Sequence, residues 1–197
     1  MIFNSRRPGV VILDMGCGRR KLENAIGVDI NTESDADVVW DLNKIPYPFK
    51  DNSVDKIRFA DCLEHLDDVP KVLEEAYRIS KKGARISIAS PHFSSHNFYT
   101  DLTHKRPFGL HSFDMYSDQD SVVIKYDRPK AKFHILKKWI EPNPFVFKTK
   151  KRIVKIHNIP LRILINLSSF TQDVYERFFA FILTAEGVHF VLEAVKE

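Results

Sequence analysis

The chain has 197 residues, of which 44% are hydrophobic and 28% are charged. This composition excludes a disordered tail and a fibrous or low-complexity protein. The length predicts a single domain over residues 1–197, and two cysteines are too few for a disulfide framework. The first residues lack the apolar core of a signal peptide, and no apolar run reaches the roughly 18 residues of a spanning helix. We therefore expect a reduced, cytoplasmic protein without a transmembrane segment.

The net charge of +4 is unevenly distributed along the chain. Residues 125–162 carry 12 basic and 2 acidic residues, whereas the segments on either side are each acidic. The basic residues are densest at the end of this basic segment, which contains Lys148, Lys150, Lys151, Arg152 and Lys155. Two interpretations stay open: a solvated surface, or a contact for an anionic partner such as nucleic acid, an acidic substrate or a lipid surface.

Short apolar runs predict seven buried strands, at residues 10–14, 25–30, 37–41, 53–60, 84–90, 131–140 and 188–195. A helix is predicted from the Asp68 cap onward, with Lys81, Lys82 and Gly83 as its basic end and stop. Residues 91–121 are irregular, and residues 161–183 have helical periodicity. Apolar strands separated by helices or loops predict an α/β fold: a parallel sheet with helices on both faces.

The predicted strand ends carry residues suited to a nucleoside. Gly16 and Gly18 follow the first strand and allow a sharp turn close to a ligand. Asp29 ends the second strand, where a carboxylate can accept hydrogen bonds from both ribose hydroxyls. Asp41 ends the third strand and can accept from an exocyclic amine, while Leu42 can pack on the base. This order of residues predicts an adenosine pocket.

The segments LDMGCGRRK, GVDIN, WDLN and LEHLDD resemble successive motifs of class I S-adenosylmethionine-dependent methyltransferases of the type-11 kind. The resemblance covers residues 10–120, and the rest only by element order. It implies a Rossmann-like, seven-stranded, mostly parallel sheet with an antiparallel last strand, residues 1–90 holding the cofactor and residues 91–197 the acceptor. It also implies the cofactor contacts: Asp14, Gly16, Cys17 and Gly18 at the methionine part, Asp29 and Ile30 at the ribose, Asp41 and Leu42 at the adenine, and Asp61 and Cys62 at the methyl-donor end.

The glycine motif departs from this family. Arg19, Arg20 and Lys21 stand where a third glycine is usual, and only eight residues separate Gly18 from Gly27. The first crossover must therefore be short, with little or no helix. The three basic residues could pair with the cofactor carboxylate or be solvated. A nicotinamide dinucleotide site is disfavoured, because it needs the third glycine and a helix N-terminus.

The acceptor side is predicted to follow the fifth strand, where residues 92–111 contain four histidines. A hydroxyl acceptor benefits from a general base, and we predict His104 or His92 in that role. The sequence DLTH, which ends at His104, resembles an element of related methyltransferases, including ones found with sugar and polysaccharide genes. His96 and His111 are better suited to holding loops. His65 could face the acceptor or hold its own loop.

Other chemistries leave weaker signals. The spacing of His92, His96 and His104 permits a zinc site, but the neighbouring phenylalanines favour packing, and no metal is predicted. The N/D-P-P-Y/F motif of amino-methylating nucleic-acid enzymes is absent after the fourth strand. Neither cysteine stands in the Pro-Cys setting that cytosine C5 methylation needs.

Three hypotheses follow for function. The first is an S-adenosylmethionine-dependent methyltransferase acting on a hydroxyl, carboxyl or amine of a small molecule or sugar. The second is an RNA methyltransferase that uses the basic segment. The third is a non-catalytic cofactor-binding scaffold. The aromatic residues of the last predicted helix are more typical of a core or dimer face than of a membrane anchor, which makes a homodimer plausible.

Overall fold

A computed structural model of the chain describes residues 9–118, 129–148, 153–156 and 158–196. It contains a seven-stranded sheet and a separate hairpin. The strands are β1 (Ile12–Met15), β2 (Ile26–Asp29), β3 (Val38–Val39), β4 (Val54–Ala60), β5 (Ser80–Pro91), β6 (Phe133–Pro142), β7 (Phe145–Lys148), β8 (Ile153–Ile156) and β9 (Ala185–Ala194). Strands β7 and β8 form the hairpin, which the sequence analysis did not predict.

The order of the large sheet is β3-β2-β1-β4-β5-β9-β6. The first five strands pair in parallel, and β9 is antiparallel to both β5 and β6. This confirms the predicted mostly parallel sheet with an antiparallel last strand. All four residues of the central strand β1 are buried, Asp14 included, because both faces of the sheet are covered.

The helices are α1 (Val69–Ile79), α2 (His96–Thr100), α3 (Ile159–Ile165) and α4 (Ser169–Val174), which continues into a π-helical turn at Tyr175–Phe179. Helix α1 begins where predicted, because the Asp68 carboxylate accepts a hydrogen bond from Lys71 N at 3.1 Å. It ends earlier than predicted. Ser80 already pairs with β4, so Lys81 to Gly83 belong to β5.

The first crossover has no helix, as its length predicts. Residues 16–25 form turns between β1 and β2, and the buried Asp14 carboxylate fixes them by accepting from Leu22 N at 2.8 Å. Lys21 bridges to Asp37 at 2.8 Å on the other side of β2. Arg19 and Arg20 are exposed.

The prediction of one continuous helix over residues 161–183 is wrong. Helix α3 ends at Ile165, and α4 restarts after Ser168, whose hydroxyl accepts from Thr171 N in a capping box. Much of this region is exposed. Phe170, Phe178 and Phe181 each expose at least 70% of their surface, so they do not form a core of this chain.

Candidate active site

A cavity of about 280 Å³ lies at the carboxyl ends of β1 to β4. Seven of the ten residues predicted to hold a cofactor line it: Gly16, Asp29, Ile30, Asp41, Leu42, Asp61 and Cys62. Trp40, Asn43, His65 and Leu66 complete the wall. These residues come from four different strand ends, and the sheet brings them together because parallel strands end at the same edge.

The turn after β1 is built tightly against the loop after β4. Gly16 has a φ of +72° and donates its N–H to Val28 O at 2.7 Å. A Cβ at this position would lie 2.6 Å from Cys62 Sγ. Glycine is therefore required at Gly16 both for backbone conformation and for space.

The two predicted acidic contacts are fixed by neighbouring backbone groups. The Asp29 carboxylate accepts from Gly18 N and Asn31 N, each at 2.8 Å. Asp41 accepts from Asn43 N at 3.0 Å. Each carboxylate oxygen has two lone pairs, so both groups keep acceptor capacity for a ligand. Asp29, Asp41 and the apolar Leu42 together offer the acceptors and the packing surface that an adenosine needs.

Three residues predicted to contact the cofactor lie outside this cavity. Asp14 is buried, and its Oδ1 accepts from Arg58 Nη1 at 2.7 Å while its Oδ2 holds Leu22 N. Cys17 is buried too, and burial, followed by the charges of Asp29 and Asp14, raises its pKa to about 11. Gly18 contributes its N–H to Asp29. All three residues therefore contribute to the turn that follows β1.

A second, larger cavity of about 950 Å³ adjoins the first. Asp61 and His65 line both cavities, so the two meet at the end of β4. Asp61 has a φ of +48°, and its N–H donates to Ala89 O at 2.9 Å. Burial raises the pKa of its carboxyl, although the Arg58 charge opposes this. Burial also raises the pKa of the Cys62 thiol, which stays protonated and is unsuited to nucleophilic attack.

The larger cavity is acidic. Among the residues that the structure describes, its wall contains five carboxylates against one guanidinium: Asp61, Glu64, Asp101, Glu141 and Glu186 against Arg162. Arg162 is itself paired with Glu141 at 2.9 Å. His65, His104 and His189 complete the titratable groups of the wall. Such a surface repels phosphates and carboxylates, and it suits a neutral or cationic molecule.

The structure separates the two histidines predicted as candidate bases. His104 lines the larger cavity, and its Nδ1 contacts Phe98 O at 3.0 Å. His92 is fully buried, with Nδ1 at 2.8 Å from Ser94 Oγ and Nε2 at 3.1 Å from Glu176 Oε1. Both ring nitrogens of His92 are thus occupied within the fold. His111 pairs with Asp114 and Asp173 on the surface.

Several wall residues were not found from the sequence. Glu141, Arg162, Glu186 and His189 come from β6, α3 and β9, which are distant in the chain and carry no local motif. The antiparallel pairing of β9 brings Glu141, Glu186 and His189 to this edge, and Arg162 joins them from α3 through its ion pair with Glu141. Glu64 was also missed, although the sequence places it directly beside His65 after the fourth strand.

The fold and the cleft define a class: an α/β protein whose sheet edge is suited to an adenosine-containing cofactor. Residues 13–88 match the family model described as a methyltransferase domain. The chain is also 26% identical over 108 residues to phosphoethanolamine N-methyltransferase 2 of Caenorhabditis elegans, a match that covers 44% of this chain and 25% of that protein. The chain therefore spans about a quarter of the length of this relative.

Solved structures agree on the fold. A methyltransferase dependent on S-adenosylmethionine from Archaeoglobus fulgidus aligns with a TM-score of 0.59 at 21% identity, covering 94% of this chain and 86% of that one. Phosphoethanolamine N-methyltransferase 2 of Haemonchus contortus, solved with phosphomonomethylethanolamine and S-adenosylhomocysteine, aligns with a TM-score of 0.54 at 17% identity, covering 99% and 51%.

The match over residues 13–88 and the shared fold make the chain similar to class I, type-11-like methyltransferases, and S-adenosylmethionine is the cofactor of that class. The smaller cavity fits this cofactor in its chemistry, since it sets the Asp29 and Asp41 carboxylates, the predicted ribose and adenine acceptors, beside the apolar Leu42. Among the residues described, no helix is long and apolar enough to cross a membrane.

Proposed function

We propose that the chain transfers a methyl group from S-adenosylmethionine to a hydroxyl or amine of a small molecule, of which a sugar is one candidate. The observation that carries this proposal is the pair of adjoining cavities, which share Asp61 and His65. A cofactor held by Asp29 and Asp41 occupies the smaller cavity. The acceptor occupies the larger one and meets the cofactor at the shared wall.

S-adenosylmethionine supplies an electrophilic methyl group on a sulfonium. The protein has to align the acceptor atom with that group and exclude competing nucleophiles. The buried Cys62 thiol, which stays protonated, removes one competitor from the wall. Asp61 and His65 stand between the two cavities and are placed to orient the acceptor.

The charge of the larger cavity favours a neutral or cationic acceptor. In the described part of the wall, five carboxylates and a single paired arginine disfavour a carboxyl acceptor and a phosphorylated one. The phosphoethanolamine methyltransferases named above are similar in fold, yet this wall offers their phosphate group little positive charge. The hypothesis of RNA methylation depends on the basic segment, whose Lys150, Lys151 and Arg152 lie outside the described residues.

Cofactor binding is tested by calorimetry with S-adenosylmethionine, with NAD as the control ligand. Asp29→Asn keeps the shape of the side chain but removes its charge. We expect affinity to fall about 10- to 100-fold, because hydrogen bonds to a charged group contribute about 1.5–3 kcal/mol. Asp35→Asn is the matched control, since Asp35 is exposed and lines neither cavity. Equal binding by all three proteins would contradict the assignment of the smaller cavity.

The acceptor class is tested by release of S-adenosylhomocysteine with pools of neutral sugars, amines and their phosphorylated counterparts. We expect turnover with the neutral or cationic pools and none with the phosphorylated pools. A requirement for RNA, with binding that weakens steeply as salt rises, would instead support the basic segment as the acceptor site.

A further inference from the structure

Glu64, His65 and His104 form one cluster on the wall of the larger cavity. Each of them can offer one ligand atom such that all three atoms lie within 4.8 Å of one another. Glu64 and His65 belong to a short 3-10 helix at Leu63–His65, and His104 comes from the loop after α2. The histidines' ring centroids are 4.7 Å apart.

The Glu64 carboxylate is buried with one oxygen unsatisfied. Its side chain has no exposed surface, and Oε2 accepts from Ser90 Oγ at 2.6 Å. Oε1 has no hydrogen-bond partner in the part of the chain that the structure describes. A buried acceptor without a donor costs about 1–3 kcal/mol, and more when it is charged. The cost is removed if a positively charged group occupies the space that Oε1 faces.

Hydrogen bonds fix the tautomer of both imidazoles. His104 Nδ1 contacts the Phe98 carbonyl, which can only accept, so Nδ1 carries the proton. Thr103 Oγ1 donates its one proton to Asp101 Oδ1 at 2.6 Å, so it must accept from His65 Nδ1 at 2.9 Å. In the neutral form of each ring, Nε2 is then the acceptor that can bind a metal. Such hydrogen bonds to the other ring nitrogen are typical of histidine ligands.

Each of the three residues thus has a ligand atom within 4.8 Å of the others, and the cations described nearby are engaged elsewhere. Arg58 pairs with Asp14, Lys105 with Asp67 and Arg162 with Glu141. The nearest oxygen of Asp101 lies 3.9 Å from His104 Nε2, too far for a hydrogen bond. Two imidazoles and a carboxylate are a ligand set that suits divalent transition metals, with Zn²⁺ as the common case.

We propose that Glu64, His65 and His104 bind one divalent transition-metal ion at the acceptor end of the active site. Three protein ligands leave a coordination position open toward the cavity, as in catalytic rather than structural zinc sites. This inference rests on the proposed function, because it takes the larger cavity, toward which the open position faces, to be the acceptor site. It gives His104 the role of a ligand instead of the proton acceptor predicted from the sequence.

Methyl transfer at this site needs no reactant other than the acceptor and S-adenosylmethionine. An acceptor hydroxyl at the open position would lose its proton to solvent, because a bound cation lowers the pKa of such a group. The acceptor oxygen then forms a bond to the methyl carbon as the carbon–sulfur bond breaks. Neutral S-adenosylhomocysteine and the methylated acceptor leave.

The test is metal binding by the full chain, measured without turnover. Protein stripped with a chelator is titrated with Zn²⁺ by calorimetry and with Co²⁺ by visible absorption. We expect one tight ion per chain and the intense visible bands of low-coordinate Co²⁺. Glu64→Gln and His104→Gln should each weaken binding about 100-fold, whereas His96→Gln should not change it. His96 is the matched control, since it lies on α2 outside the cluster.

S-adenosylmethionine binding, measured on the same samples, separates this inference from the proposed function. Intact cofactor binding with no tight ion, or ion binding that is equal in wild type and in His104→Gln, would overturn the metal site alone. If the chelated protein then keeps full turnover and His104→Gln loses it, His104 is the proton acceptor that the sequence predicted.

Discussion

Gly16 and Gly18 have the same backbone conformation for different reasons. Both have a positive φ, at +72° and +53°, but only Gly16 has a neighbour within contact distance of an added Cβ. At Gly18 an alanine Cβ lies within 4 Å of none of the described residues, so its cost is the conformational strain alone. At Gly16 it meets Cys62 Sγ and Cβ at 2.6 and 2.9 Å.

We therefore predict that Gly18→Ala lowers the free energy of unfolding by about 1 kcal/mol, the cost of a left-handed non-glycine residue. Gly16→Ala should cost about 3 kcal/mol or more, because overpacking adds to that strain. It should also abolish S-adenosylmethionine binding, since Cys62 lines the smaller cavity, where we propose that the cofactor binds. Urea unfolding and calorimetry measure the two effects. Equal losses in both variants would contradict the close approach to Cys62.

For single residues, the sequence predicts the positions of the acidic side chains better than it predicts their hydrogen-bond partners. Asp29 and Asp41 follow strands and reach the cavity, where their position at the sheet edge places them. Asp14 also stands near a strand end, but Arg58 from β4 and Leu22 N engage its two oxygens. That difference depends on pairing between β1 and β4, which no local pattern contains.

The break between α3 and α4 shows what periodicity misses at the scale of elements. Apolar residues continue through residues 161–183 at helical spacing, so the sequence predicts one helix. The side chain of Asn166 instead binds the edge of the sheet. Its Oδ1 accepts from Ile140 N at 2.9 Å, and its Nδ2 donates to Ile140 O at 2.8 Å. This pairing competes with helix continuation, and Ser168 caps the restart.

We predict that Asn166→Ala lowers the free energy of unfolding by about 2 kcal/mol, because it leaves backbone groups of the buried Ile140 without partners. Ser168→Ala is the matched comparison. It removes an exposed cap in the same connection and should cost only about 1 kcal/mol. Denaturant unfolding of the two variants measures the difference. A smaller loss in Asn166→Ala than in Ser168→Ala would show that the side chain does not hold the sheet edge.

For the whole molecule, the sequence and its family resemblance predict the sheet better than they predict the charge distribution. The sheet, its antiparallel last strand and the helix-free first crossover agree with the prediction. The overall basicity gives no indication that the larger cavity is acidic, because its carboxylates come from distant segments. The aromatic side chains around α4 are exposed, and the homodimer stays a prediction.

The stability of the whole chain should depend on pH through His189. This residue of β9 stacks on Trp139 of β6, with ring centroids 4.7 Å apart and planes at 3°. Burial, assisted by the charge of Arg162, lowers the pKa of His189 from 6.5 to about 4. Between those two values the unfolded chain binds a proton that the folded chain does not. The free energy of unfolding must therefore fall as pH decreases from about 6.5 toward 4.

We expect this group to lower the free energy of unfolding by about 1–2 kcal/mol between pH 7 and pH 5, since one pKa unit corresponds to about 1.4 kcal/mol and the site is partly solvated. His189→Phe keeps an aromatic ring on Trp139 but cannot titrate, so its urea unfolding curves should lose that part of the pH dependence. His96→Gln, which removes a histidine of α2, should keep the wild-type slope. If His189→Phe and wild type change equally over this range, His189 titrates normally and its side chain is better solvated than its position in the sheet implies.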